Sequence, residues 1–354
     1  MSCPTRTRSA LAVLSAALVS SAISSVAYAA ELPPHPALRI LIVSDEVNPY
    51  GLSNAELTQP GDISVALQAP GSGLNIDAVL EIATDDLATA TAALLVPFAD
   101  PAAYDVLIYF AHRIPNGAGA AQAQAEFVAA VEGFLVAGGG VVSFHHGSFQ
   151  ATGKTAMLDL IGGVATANSW QPIAGQRLIN VAPGHFVTTQ SVEYTSSLAY
   201  ADPGRGVAAG NYDAFDNIPD ERYPVFDLVP SAEQVEILFA SDYNEGGSAT
   251  HLLGFTHQRT GWLGRVVAYQ PGEYQPQALD DPNGNNFQIL ANAILYSAGL
   301  EGPVGIPALG GIELTALAAV VVLAALFLLR PGQPILRVLW LQTRRLRLHA
   351  RSGR

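Results

Sequence analysis

Short continuous apolar runs alternate with stretches whose apolar residues recur every three to four positions. Residues 39–44 and 105–110 are runs of the kind found in strands buried on both faces of a parallel sheet. A third run begins at Gly138-Gly139-Gly140 and ends in two adjacent histidines, His145 and His146. Before it, residues 121–137 place Phe127, Val128, Val131, Phe134 and Leu135 at helical spacing, with Gly138 to stop the helix. Residues 75–82 read as another strand, Asp62 is expected to cap a helix over 63–68, and Asp85-Asp86 to open an alanine-rich helix to Leu95. This rhythm predicts an α/β fold, a three-layer, mostly parallel, doubly wound sheet. Beyond Gln150 the pattern loosens. Residues 157–161 and 286–297 read as helices, 176–181, 235–241, 252–256 and 264–269 as strands, and Pro183-Gly184-His185 as a turn.

The two ends change the picture. Arg6 and Arg8 precede an apolar stretch over 11–26 and the small-x-small triplet Ala27-Tyr28-Ala29, so residues 1–29 read as a signal peptide. The one cysteine, Cys3, lies within it, so the mature chain is expected to hold no disulfide. Residues 30–300 suffice for one large domain, and 301–311 form a Gly/Pro linker. Residues 312–329 form a hydrophobic stretch with one charge, Glu313, long enough for a single C-terminal transmembrane helix. Residues 330–354 carry seven arginines and no acidic residue, which reads as a cytoplasmic tail. The expected location is the bacterial cell envelope, as a single-pass membrane protein anchored in the lipid bilayer with its main domain on the periplasmic or extracellular side.

Between Glu31 and Glu301 there are 29 Asp and Glu against eight Arg and Lys. A domain so acidic repels nucleic acid, leaving small-molecule or glycan substrates as expected partners.

The run Gly138-Gly139-Gly140-Val141-Val142-Ser143-Phe144-His145 resembles the glycine strand of the ThuA-like (trehalose utilisation) family, which shares the fold of class I glutamine amidotransferases. Further markers follow in the family's order: Gly184-His185, then Asp220-Glu221-Arg222-Tyr223 as the family's Asp-Glu-x-Tyr, then His251 to His257 and Gly264-Arg265-Val266-Val267. Two segments depart. Glu273 follows Gly272 where the family has a histidine, and Ser44-Asp45-Glu46 differs from the usual first-strand end. The resemblance implies action on sugars or keto-sugar derivatives. Separately, Val304-Gly305-Ile306-Pro307-Ala308-Leu309 is similar to an Ile-Pro-Thr-Leu type sorting signal, which implies an exosortase-like enzyme as a partner.

Glutamine hydrolysis needs a thiolate nucleophile, and a mature chain without cysteine excludes it. Ser148 lacks the Gly-x-Ser-x-Gly setting of a serine nucleophile. Histidines at a strand's carboxyl end can move protons near neutral pH, so His145 or His146 is the expected base, with Glu221 as its partner or acid. His112, also just past a strand, together with His185, Tyr223 and Glu273, is expected to bind substrate. A metal-dependent hydrolase using His145, His185, His251 or His257 with Glu221 is an alternative, although no His-x-x-x-His spacing marks ligands and none is assigned. A noncatalytic carbohydrate-binding surface module is another. Trp170, Tyr212, Tyr223 and Trp262 are candidates for a sugar-stacking floor, with core packing as the competing role.

Overall fold

Every apolar run read as a doubly buried strand lies in the central sheet. The computed structural model describes residues 35–45, 60–112, 118–173, 176–216, 220–245, 247–272 and 284–301. The expected signal peptide, linker, apolar span and basic tail lie outside the described residues, as does Glu273. No helix among the described residues is long and apolar enough to cross a membrane.

Among the described residues twelve strands run in chain order as β1 (Leu38–Ser44), β2 (Ile76–Ala83), β3 (Val106–Tyr109), β4 (Gly140–Phe144), β5 (Gly163–Ile173), β6 (Arg177–Asn180), β7 (Ser196–Asp202), β8 (Val207–Asp216), β9 (Asp220–Leu228), β10 (Glu236–Ser241), β11 (His251–His257) and β12 (Val266–Tyr269). The helices are α1 (Pro60–Gln68), α2 (Leu87–Leu94), α3 (Ala120–Ala137), α4 (Thr155–Ile161), α5 (Phe186–Thr189) and α6 (Asn285–Ser297). Ten strands form one sheet in the order β2-β1-β3-β4-β12-β11-β10-β6-β8-β7. Its first five strands are parallel. From β12 onward each neighbour is antiparallel, so the parallel expectation describes one half of the sheet. β5 and β9 pair apart from it, as a two-stranded antiparallel ribbon.

The alternation of side chains along each strand builds three layers. Leu38, Ile40 and Ile42 of β1, with Val106, Ile108 and Val142, face α1, α5 and α6. Leu41, Val43, Leu107 and Val141 face the other way, against α2, α3 and α4. Each of these fully buried side chains contributes about 1.5–3 kcal/mol. The ribbon joins the second layer through Ala165, Tyr223 and Phe226, whose ring lies 5.9 Å from that of Phe255 on β11. Helix boundaries follow local chemistry. The Asp86 carboxylate accepts the Thr89 amide at the start of α2, and Gly138 closes α3 at φ +113°. α1 begins at Pro60, ahead of the expected cap Asp62, with proline in the first helical position it suits.

Candidate active site

At the carboxyl end of β4 the chain turns sharply through residues 145–148. His145 forms the apex at φ +41°, a left-handed conformation uncommon for a residue with a Cβ. The bend is tight enough that a Cβ on Gly147 would fall 2.1 Å from the Tyr109 carbonyl oxygen of β3, so only glycine fits there. Strained backbone residues cluster at functional sites, which makes this apex a candidate for one.

His145 is fully buried, with both ring nitrogens engaged. Nδ1 lies 2.6 Å from the carbonyl oxygen of Gln270, which can only accept, so Nδ1 carries a proton and donates. Nε2 lies 2.8 Å from Glu221 Oε2 and 3.1 Å from the Tyr223 hydroxyl. With Nδ1 protonated, the contact between Nε2 and the Glu221 carboxyl requires a further proton, held by one partner or the other.

Glu221 reaches His145 from the ribbon. It sits on β9, and its second oxygen accepts the Asn168 amide of β5. Arg222, between Glu221 and Tyr223, projects oppositely, over the Tyr243 ring at 4.6 Å and toward Glu245 at 3.6 Å. Gln270, one residue past β12, joins the two sides. Its carbonyl holds His145, its side-chain amide donates to the Glu221 carbonyl oxygen (3.0 Å), and its own side-chain oxygen accepts from Gln176 (3.0 Å). Asp220 accepts the Gly272 and Glu221 amides at 2.7 and 2.9 Å, fixing the start of β9 against the loop after β12.

Beneath the turn lies Lys154, with no exposed surface. Its Nζ donates to the carbonyl oxygens of Ala111 (2.6 Å), His146 (2.6 Å) and Phe149 (2.9 Å), and sits 5.4 Å from the centre of the Tyr109 ring. Three donors meet three acceptors, tying the loop after β3 to the turn after β4. Burial pushes the amine down to about 7, while the nearby Asp45 carboxylate pulls it back up. Asp45, at the end of β1, also accepts the His112 amide.

No protein-family model matches this chain, and no curated protein sequence does. Solved structures do match. A protein described as ThuA-like from Bacteroides uniformis superposes at 17% identity with TM-score 0.47, covering 76% of this chain and 95% of its own. A second, from Parabacteroides merdae, superposes at 13% identity and TM-score 0.48, covering 77% and 94%. The glutaminase domain of a Trypanosoma brucei CTPS matches at 9% identity and TM-score 0.38, over 76% and 96%. This chain is similar to ThuA-like proteins.

Three of the segments singled out in the sequence meet at one place. The glycine strand brings His145 and His146, the Asp-Glu-x-Tyr segment brings Glu221 and Tyr223, and the strand after Gly264-Arg265 brings Gln270. His146 is 7% exposed, its ring 4.6 Å from that of His145. His112 lies edge-on to His146 at 4.9 Å.

Other expected site residues lie elsewhere. His185 belongs to the opposite edge of the sheet, in a cavity of about 320 Å³ with Arg265, Tyr296 and Glu301, ahead of the first residue of β12. It caps α5 there, Nδ1 accepting the Val187 amide. His257 donates Nε2–H to Leu160 O at the end of β11, and His251 stacks on Tyr243 at 3.8 Å, so neither joins Glu221. The stacking floor does not form as expected. Trp262 packs on His257 and Arg259, and Tyr212 bonds Ala208 O on β8, so of the three candidates with described side chains Tyr223 alone reaches the site. The side chain of Trp170 lies outside the described residues. Asn168, Gln270, Gln176 and Lys154 were not foreseen. Gln270 had a signal, since it follows an apolar strand as the histidines do.

His185 carries a pH prediction. Burial holds its imidazole down to about 4, and protonation at Nδ1 would break the α5 cap. Below pH 6.5 the unfolded chain gains a proton that the folded chain refuses, so stability should fall by roughly 2–3 kcal/mol between pH 6.5 and 4. Burial lowers His257 as well, adding to the slope in the same direction. His185→Asn keeps a capping acceptor and should flatten part of that slope in urea melts at pH 7 and 4.5. An unchanged slope would remove His185 as its source.

Proposed function

We propose that this chain is an exported, membrane-anchored enzyme acting on sugars or keto-sugar derivatives by proton transfer at a carbon beside a carbonyl. The observation supporting this reading is the buried His145–Glu221 pair, 2.8 Å apart, with the opposite ring nitrogen fixed on Gln270. With the shared proton on Glu221, the single Nε2 lone pair accepts it, and that lone pair is freed to act as base once substrate displaces the Glu221 carboxyl. With the proton on Nε2, the imidazolium is the acid that returns it. The Tyr223 hydroxyl is placed to donate to an oxygen that gains charge. Two hydrogen bonds and a strained apex hold the ring in one orientation, a cost that simple ligand retention would not require. The sugar class rests on the ThuA-like motifs, and export and anchoring rest on the two ends of the sequence.

The test is deuterium incorporation, followed by NMR, when the full-length protein in detergent is incubated in D2O with a panel of sugars and keto-sugars. Exchange beside the carbonyl is expected, and Glu221→Gln should slow it on the order of 10²-fold. No incorporation with any keto-sugar, or full exchange in the variant, would overturn the reading.

A further inference from the structure

We propose that His145, His146 and Glu221 form a site for a divalent cation of the zinc class, with a coordination position left for substrate oxygen or water. The inference rests on the active site proposed above, but not on the imidazole acting as base. One ligand atom from each of the three side chains lies within 4.8 Å of the others, and all three residues are buried. Bonds of about 2.0–2.1 Å in a tetrahedral shell put ligand atoms about 3.3 Å apart. The 2.8 Å between His145 Nε2 and Glu221 Oε2 therefore needs only a small opening, and the longer separations a modest closing.

The surroundings match what such ligands require. A ligating imidazole needs its other nitrogen fixed by an acceptor, and the Gln270 carbonyl does this for His145, leaving Nε2 for the metal. A ligating carboxylate needs its second oxygen held, and Asn168 does this for Glu221. Two imidazoles and one carboxylate are one of the donor sets found in catalytic zinc sites, which keep the fourth position open. Tyr223, 3.1 Å from Nε2, borders that position. The cation would replace the proton now shared by His145 and Glu221, and would polarise a carbonyl oxygen bound in the open position.

The test is calorimetric titration of Zn²⁺ into the full-length protein after chelator treatment, in wild type and in His146→Asn and Glu221→Gln. Wild type should bind one equivalent saturably, and each variant should lose on the order of 10²-fold in affinity, because each removes a donor. His185→Asn, at the opposite edge, should bind as wild type does. Thermal melts run alongside show which variants are folded, and Glu221→Gln, which keeps an amide able to donate to His145 and accept from Asn168, decides the matter if His146→Asn unfolds. Absence of saturable binding in wild type, or equal affinity in folded variants, would overturn the site. Cation binding without deuterium exchange leaves this site standing and removes the proton-transfer reading. Exchange in protein that binds no cation does the reverse.

Discussion

Replacing Lys154 with methionine should cost about 3–5 kcal/mol of folding stability, although the new side chain is of similar length and suits a buried position. Methionine leaves the carbonyl oxygens of Ala111 and Phe149 without a donor and His146 with the Phe149 amide alone (3.0 Å), and each unmet acceptor costs about 1–3 kcal/mol before relaxation. Relaxation is limited because two of those carbonyls lie on the turn pinned by Gly147 against Tyr109. Arginine should fare little better, its planar fork being mismatched to acceptors arranged around a point charge. Urea unfolding of wild type and both variants measures the loss. A cost below about 1 kcal/mol for methionine would show that the clamp is not holding the turn.

The second large effect should appear in activity. His145→Asn and Glu221→Gln are each expected to slow deuterium exchange on the order of 10²–10⁴-fold, with the double variant no slower than the worse single one by more than about threefold. The reasoning is that the two side chains share one proton, so removing either ends the transfer. Asparagine tolerates the left-handed apex better than most residues, which keeps the turn while removing the base. Losses that multiply in the double variant would mean that the residues act independently and that the hydrogen bond between them is incidental.

The parts of this fold that could be read from the sequence are those where one physical signal dominates. β1, β3 and β4 are buried on both faces, so they appear as continuous apolar runs. α3 has a helical stripe and a glycine stop. β5, β7, β8 and β9 gave no such signal, because their burial is one-sided or irregular. β8 reads Val-Ala-Ala-Gly-Asn-Tyr-Asp-Ala-Phe-Asp, with most of its first seven residues in solvent, and β9 holds charged residues that are buried only because the site needs them. His145, His146 and Glu221 could be picked out by strand-end position and by motif, and they converge. His185 could not be placed, since a glycine–histidine turn looks the same at either edge of a sheet. Lys154 was passed over because a single lysine before a short helix gives no local sign of burial. Its significance arises only once two loops distant in sequence close over it.

The two-stranded ribbon gives the site a divided construction. His145 stands at the end of β4 in the ten-stranded sheet, while Glu221, Tyr223 and Asn168 arrive together on β5 and β9, docked through the buried Ala165, Tyr223 and Phe226, the Gln150 amide on the Ala165 carbonyl, and the Asp220 and Gln270 bridges. Half of the chemistry is thus portable. Exposed residues on the ribbon, such as Val225, can change without disturbing the sheet, and a ribbon of different sequence could bring another acid or another set of donors to the same fixed imidazole. New substrates would then be reached by altering the ribbon, with β4 and its strained turn kept as they are.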